Sequence, residues 1–127
     1  MPATGSIAGY SEDILAASAT QTSTGQTATL GGYGGSSSLR VYVNVTAVSG
    51  TSPTMTINIQ DTVDGSNWYT VGSSTSLTAV GTSAFEIGAG LGNNHVFADR
   101  IRVQWVLGGT TPSFTFDVRA CDQSPLT

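Results

Sequence analysis

The segment 39-LRVYVNVTAVSGTSPTMTINIQ-60 decides the fold. Apolar side chains take every second position: Leu39, Val41, Val43, Val45 and Ala47 before a Gly-Thr-Ser-Pro sequence, and Met55, Ile57 and Ile59 after it. Arg40, Tyr42, Asn44 and Thr46, then Thr56, Asn58 and Gln60, fill the gaps. Successive side chains of an extended strand point to opposite faces, so a period of two marks strands with one face in a core. The glycine and proline between the runs predict a turn, and with it a hairpin.

The pattern recurs as 101-IRVQWVLGGTTPSFTFDVR-119. Leu-Arg-Val corresponds to Ile-Arg-Val, Gly-Thr-Ser-Pro-Thr to Gly-Thr-Thr-Pro-Ser, and Met-Thr-Ile-Asn-Ile to Phe-Thr-Phe-Asp-Val. Two one-sided hairpins bury their apolar faces most simply against each other. The expected fold is all-β: an antiparallel β-sandwich, jelly-roll or immunoglobulin-like, of about eight strands with an extended N-terminal arm. Its core is expected to hold the alternating residues of the first run with Ile101, Val103, Trp105, Leu107, Phe114, Phe116, Val118 and Ala120. On the polar face of the second hairpin, opposite charges favour a register that sets Arg102 across from Asp117.

The chain of 127 residues is long enough for one domain with a real core. Residues 1–36 read as the arm and first strands, and residues 37–127 as the sandwich. Small polar residues dominate 1–11, and 12–19 reads as a strand in preference to one helical turn capped by Ser11. Asp64-Gly65 is a turn dipeptide leading to a strand that begins at Trp68, with further short strands expected over Ser76–Val80 and Ala84–Ile87.

Charged residues make up only 9% of the chain, against about a quarter in ordinary globular proteins. There is no lysine; Arg40, Arg100, Arg102 and Arg119 face eight acids, for a net charge of -4. This balance opposes binding to nucleic acid or to an anionic membrane, both of which need clustered cations. A neutral surface rich in Ser, Thr, Gly and Asn suits a protein held in a static assembly. The single cysteine, Cys121, forbids an intramolecular disulfide, and the first residues lack the cationic and apolar regions of a leader. Synthesis in a reducing cytoplasm is the expectation.

No catalytic or cofactor constellation emerges. The glycines at 31, 32, 34 and 35 are not followed by the Lys-Ser/Thr of a phosphate loop or by a helix. His95, the only histidine, lies in a second glycine-rich loop without companion ligands. Asp61, Asp64 and Asn67 could converge on calcium, but the segment lacks the ligand spacing and closing glutamate of an EF-hand, and a plain turn is the simpler reading. Trp68, with Tyr69, is the one candidate sugar-stacking platform. Asn44-Val45-Thr46 matches a glycosylation acceptor but lies inside an expected strand. The expectation is a protein that is not an enzyme and uses no cofactor or metal.

The order LRVYVNVTAVSGTSPTMTINIQDTVDGSNWYTV, a Gly-Thr spacer and RIRVQWVLGGTTPSFTFDVRA resembles small structural proteins of tailed bacteriophages. In that group a strand ending in Ser-Gly-Thr-x-Pro-Thr leads to an aliphatic strand, an Asp-Gly-x-x-Trp turn and an Arg-Val-x-Trp hairpin. The likeness covers roughly residues 37–121, and its motifs are structural. It implies a virion component, most typically a decoration (cement) protein on the outer capsid surface. Such a protein binds the major capsid protein as a homo-oligomer, a trimer or dimer on the lattice. Tail and head-tail joining proteins are the alternative, and a carbohydrate-binding sandwich module a further one. The residues expected to meet a partner are Pro2, Ile7 and Tyr10 of the arm and Arg40, Arg100 and Arg102 of the polar face.

Overall fold

The computed structural model describes residues 10–33, 38–88 and 98–123. Six strands form one antiparallel sheet: β1 (Tyr10–Gln21), β2 (Gly25–Gln26), β3 (Ser38–Thr62), β4 (Tyr69–Ser73), β5 (Gly81–Gly88) and β6 (Arg100–Gln123). The strand expected over 12–19 is β1. Pairing follows the path β1-β6-β3-β4, with β2 added to β6 and β5 added to β3. β1 and β2, which precede β3, therefore join the same sheet as the rest.

The two expected hairpins are instead two unbroken strands. β3 runs through Gly50-Thr51-Ser52-Pro53 and β6 through Gly109-Thr110-Thr111-Pro112, and the strands pair with each other along their whole length. Residues 38–49 pair with 113–123, and residues 54–62 with 100–108. Register shifts occur between Val45 and Ala47 and again around the bend, from Ser49 to Thr54. Gly50 and Gly109 have φ of 115° and 98°, and Ser52 and Thr111 hold φ of 49° and 46°. This left-handed backbone bends each strand without ending it. Six strands stand where about eight were expected, because each presumed pair of hairpin arms is one strand.

The sequence repeat thus becomes an internal pseudo-two-fold, with each bend lying beside the other. The short strands follow it. At one edge, Met55 and Leu77 exchange backbone bonds of 2.9 and 2.7 Å, and Ser74 Oγ accepts from Ile57 N at 3.0 Å. At the other, Leu30 and Ile101 exchange bonds of 2.8 Å, while Thr27 and Thr24 hydroxyls accept from Val103 N and Leu107 N. Hydroxyls complete the edges where β2 and β4 are too short, pairing the N–H groups of Ile57, Val103 and Leu107. Ser76–Val80, expected as a strand, contributes only the bridge at Leu77.

Period two predicts the core well. Leu39, Val41, Val43, Val45, Met55, Ile57, Ile59, Ile101, Val103, Trp105, Phe114, Phe116, Val118 and Ala120 are all buried in one cluster. Leu107 packs against that cluster while partly buried, and Ala47 is exposed just past the register shift. The cluster spans both arms of the long strands. Trp105 in one arm meets Phe116 in the other edge-on, at 5.7 Å between centroids and 70° between planes. Gly72 of β4 faces Ile87 of β5 so closely that a Cβ there would lie 2.2 Å from Ile87 Cγ2.

Candidate functional site

On the polar side of residues 54–62 and 100–108, the alternating positions build a continuous ladder. Ser73 Oγ donates to Asn58 Oδ1 at 2.7 Å, and Asn58 Nδ2 donates to Gln104 Oε1 at 2.9 Å. Gln60 Nε2 donates to Thr70 Oγ1 at 3.2 Å and, more weakly, to Gln104 Oε1 at 3.4 Å. Gln60 Oε1 accepts from Arg102 Nε at 2.8 Å, and the Arg102 guanidinium lies over the Trp68 ring, 4.3 Å from its centroid. Register explains the arrangement: Asn58 is opposite Gln104, Gln60 opposite Arg102 and Thr62 opposite Arg100. The expected pairing of Arg102 across from Asp117 does not occur, because β6 pairs with β3 rather than with itself.

The turn that delivers Trp68 is built by Asp64. Its Oδ1 accepts from Ser66 N and Asn67 N, both at 2.8 Å, and from Thr62 Oγ1 at 3.1 Å; Oδ2 accepts from Asn67 Nδ2 at 2.7 Å. The backbone bonds from Asn67 and Ser66, with the Asn67 side-chain bond, hold the Asp64 carboxyl well below the usual carboxylate range. Gly65, with φ of 82°, completes the turn. Asp61 Oδ2 accepts from Ala98 N at 2.9 Å. Both Asp64 oxygens are thus engaged by local donors, and one Asp61 oxygen by the backbone of Ala98. Among the described residues no group of His, Cys, Asp and Glu is arranged to hold a metal.

Of the six residues expected to meet a partner, Arg100 and Arg102 are brought together. They sit two residues apart on one strand face, and Arg100 Nη2 donates to the Val63 carbonyl. Arg40 belongs to the other arm, where it pairs with Glu86 at 3.7 Å and lies 5.5 Å from the centroid of the Tyr42 ring. Both partners of that ion pair are about half exposed, so its contribution is at most about 1 kcal/mol. The fourth arginine, Arg119, binds Asp117 two residues back along its own strand at 2.8 Å. Tyr10 begins β1, its backbone opposite Gln123. Pro2, Ile7 and His95 lie outside the described residues.

Gln60, Gln104, Asn58 and Trp68 were not expected at the site. The signal for Asn58, Gln60 and Gln104 was present in the sequence, where they alternate with core residues on the two segments that carry the repeat; Trp68 comes instead from the turn between β3 and β4. Trp68 is partly exposed, and the Arg102 guanidinium lies over one face of its ring. Elsewhere, a cleft of about 350 Å³ between β1 and residues 27–30 is lined by Leu15, Ala16, Leu30, Trp105 and Phe116 among others. Among the described residues no acid, base or nucleophilic thiol lines it.

Compared with protein-family models, with curated proteins and with solved structures, the chain matches none.

Proposed function

We propose that the chain is a β-sandwich structural protein of a virion, a decoration protein that binds the outer capsid surface and stabilises contacts between major capsid subunits. In this reading the sheet folds over at its two bends into facing layers. One layer is β1, residues 113–123, residues 38–49 and β5; the other is β2, residues 100–108, residues 54–62 and β4. The long strands then count once in each layer, and the Trp105–Phe116 and Gly72–Ile87 contacts join the layers.

The observation that carries the assembly role is the edge at β5. This strand, GTSAFEIG, pairs with β3 in an unbroken register from Gly81 to Gly88 and, among the described strands, with β3 alone. Proteins that stay monomeric blunt such edges with lysine, proline, bulges or inward charges. β5 has none of these devices, and its one charge, Glu86, is paired with Arg40. A regular open edge adds a strand from a neighbour at little cost. The sparse charge acts in the same direction, since few ions must be stripped of water when the surface is covered. The virion assignment rests on the resemblance of residues 37–121 to phage structural proteins.

The test is to add purified chain to bare phage heads and image them. Regular added density at a lattice axis is the expected result, and its symmetry gives the oligomeric state. Heads without added density, with the chain in rings or on tails, would replace this reading by the tail or joining role.

A further inference from the structure

We propose that Arg102 is a carboxylate-binding residue, and that its occupant is an acidic side chain on an extended polypeptide of the partner. The inference rests on the assembly reading above for the nature of that partner; the site itself is argued from geometry. In a chain with four cations, Arg40 and Arg119 are spent on ion pairs, whereas Arg100 and Arg102 form none among the described residues. Both sit on one strand face.

Arg102 is held from two directions before any partner arrives. Its Nε is bound by Gln60 Oε1 and its plane lies over Trp68. Gln60 is itself only 9% exposed and anchored by Thr70 and Gln104. The rotamer freedom that a surface arginine loses on binding is already restricted here. The terminal nitrogens of Arg102 have no hydrogen-bond partner among the described residues. They leave a planar donor edge that fits the two oxygens of a carboxylate.

Charge selects the kind of anion. A chain of net charge -4 repels a polyanion, which brings many charges at once, but a single carboxylate meets the local field of Arg100 and Arg102. Spacing selects its carrier. Beyond Arg102 the same face presents Gln104 and the 41%-exposed Val106 at successive two-residue intervals. An extended peptide repeats its side chains with that same period. A sugar acid has no such repeat.

The test uses the full chain, with the Arg102 Nε–H and Trp68 indole N–H resonances as reporters. The peptide Ac-Gly-Glu-Gly-Ser-Gly-Val-Gly-NH2 is titrated against its Gln counterpart, glucuronate and inorganic phosphate. The Glu peptide is expected to shift both reporters saturably and the Gln peptide to leave them in place. Arg102→Gln should weaken binding about tenfold or more, and Arg40→Gln, in the other arm, should leave it unchanged. Should Arg102→Gln misfold, Arg102→Lys, which keeps the charge and loses the fork, is expected to weaken binding in the same direction. An equal response to the Gln peptide, tighter binding of glucuronate or phosphate, or undiminished binding by the folded variant would each overturn the proposal. Attachment to heads is measured in parallel. Attachment without peptide binding would sink the carboxylate site alone, and peptide binding without attachment would sink the virion reading alone.

Discussion

Gly50 and Gly109 each lie against the other's bend. A Cβ on Gly50 would come within 2.6 Å of the Thr111 carbonyl oxygen, and a Cβ on Gly109 within 2.5 Å of the Ser52 carbonyl oxygen. The contact is reciprocal because the two repeats cross antiparallel at their Gly-Thr-x-Pro sequences. Both glycines also have left-handed φ. Space and conformation therefore demand glycine twice over.

Gly50→Ala and Gly109→Ala should each cost about 3 kcal/mol, and by similar amounts, read as lowered midpoints in denaturant. Gly31 has open space where its Cβ would go and no left-handed φ. Gly31→Ala should be neutral or add about 0.5 kcal/mol. Unequal losses at 50 and 109 would argue against the pseudo-two-fold.

The apposition of β4 and β5 can be measured at Gly72. A Cβ there meets Ile87 Cγ2 at 2.2 Å, so Gly72→Ala should cost about 1–3 kcal/mol by overpacking. Ile87→Ala removes that methyl and alone should cost about 2–5 kcal/mol. In the Gly72→Ala background its cost should fall by about 1 kcal/mol or more. Strict additivity in the double-mutant cycle would mean that the strands do not touch there.

Ser83 is the exception in a well-satisfied interior. Its Oγ is buried without a hydrogen-bond partner among the described residues. Ser83→Ala should range from neutral to about 1 kcal/mol stabilising, since it removes an uncompensated polar atom. A clear loss of stability would show that the hydroxyl has a partner.

Asp64 gives the chain an acid-sensitive turn. Its folded pKa is depressed, so its contribution to stability is present above the unfolded value of about 3.9. That contribution is lost as pH falls through the lower folded value. The Asp64 side-chain carboxyl resonance should therefore titrate well below the usual carboxylate range. Asp64→Asn should flatten this part of the acid-unfolding curve. A midpoint for Asp64 near 4 would refute the bonding described for the turn.

The sequence made the faces legible but not the pairing. Period-two alternation placed Val41, Ile57, Val103 and Phe116 in the core because burial acts locally on each strand. The repeat was legible for the same reason. Whether Gly50-Thr51-Ser52-Pro53 reverses the chain or only bends it depends on which strand lies alongside, and that is settled by contacts about sixty residues away. Treating it as a reversal displaced the register, so Arg102 was set against Asp117 rather than Gln60. The site followed the same division. Arg100 and Arg102 were visible as rare cations on a polar face, while Gln60 and Gln104 became their partners only through the β3–β6 register, and Trp68 only through the turn that follows β3. The Asp64 turn was readable from Asp-Gly alone, because its bonds close within four residues.

The claim that this protein cements a capsid is tested most directly by the temperature at which heads rupture. Bare heads and heads saturated with the purified chain should be heated side by side and the release of their contents followed. The saturated heads should rupture at a distinctly higher temperature. Identical rupture temperatures on heads shown by imaging to carry the chain would contradict it.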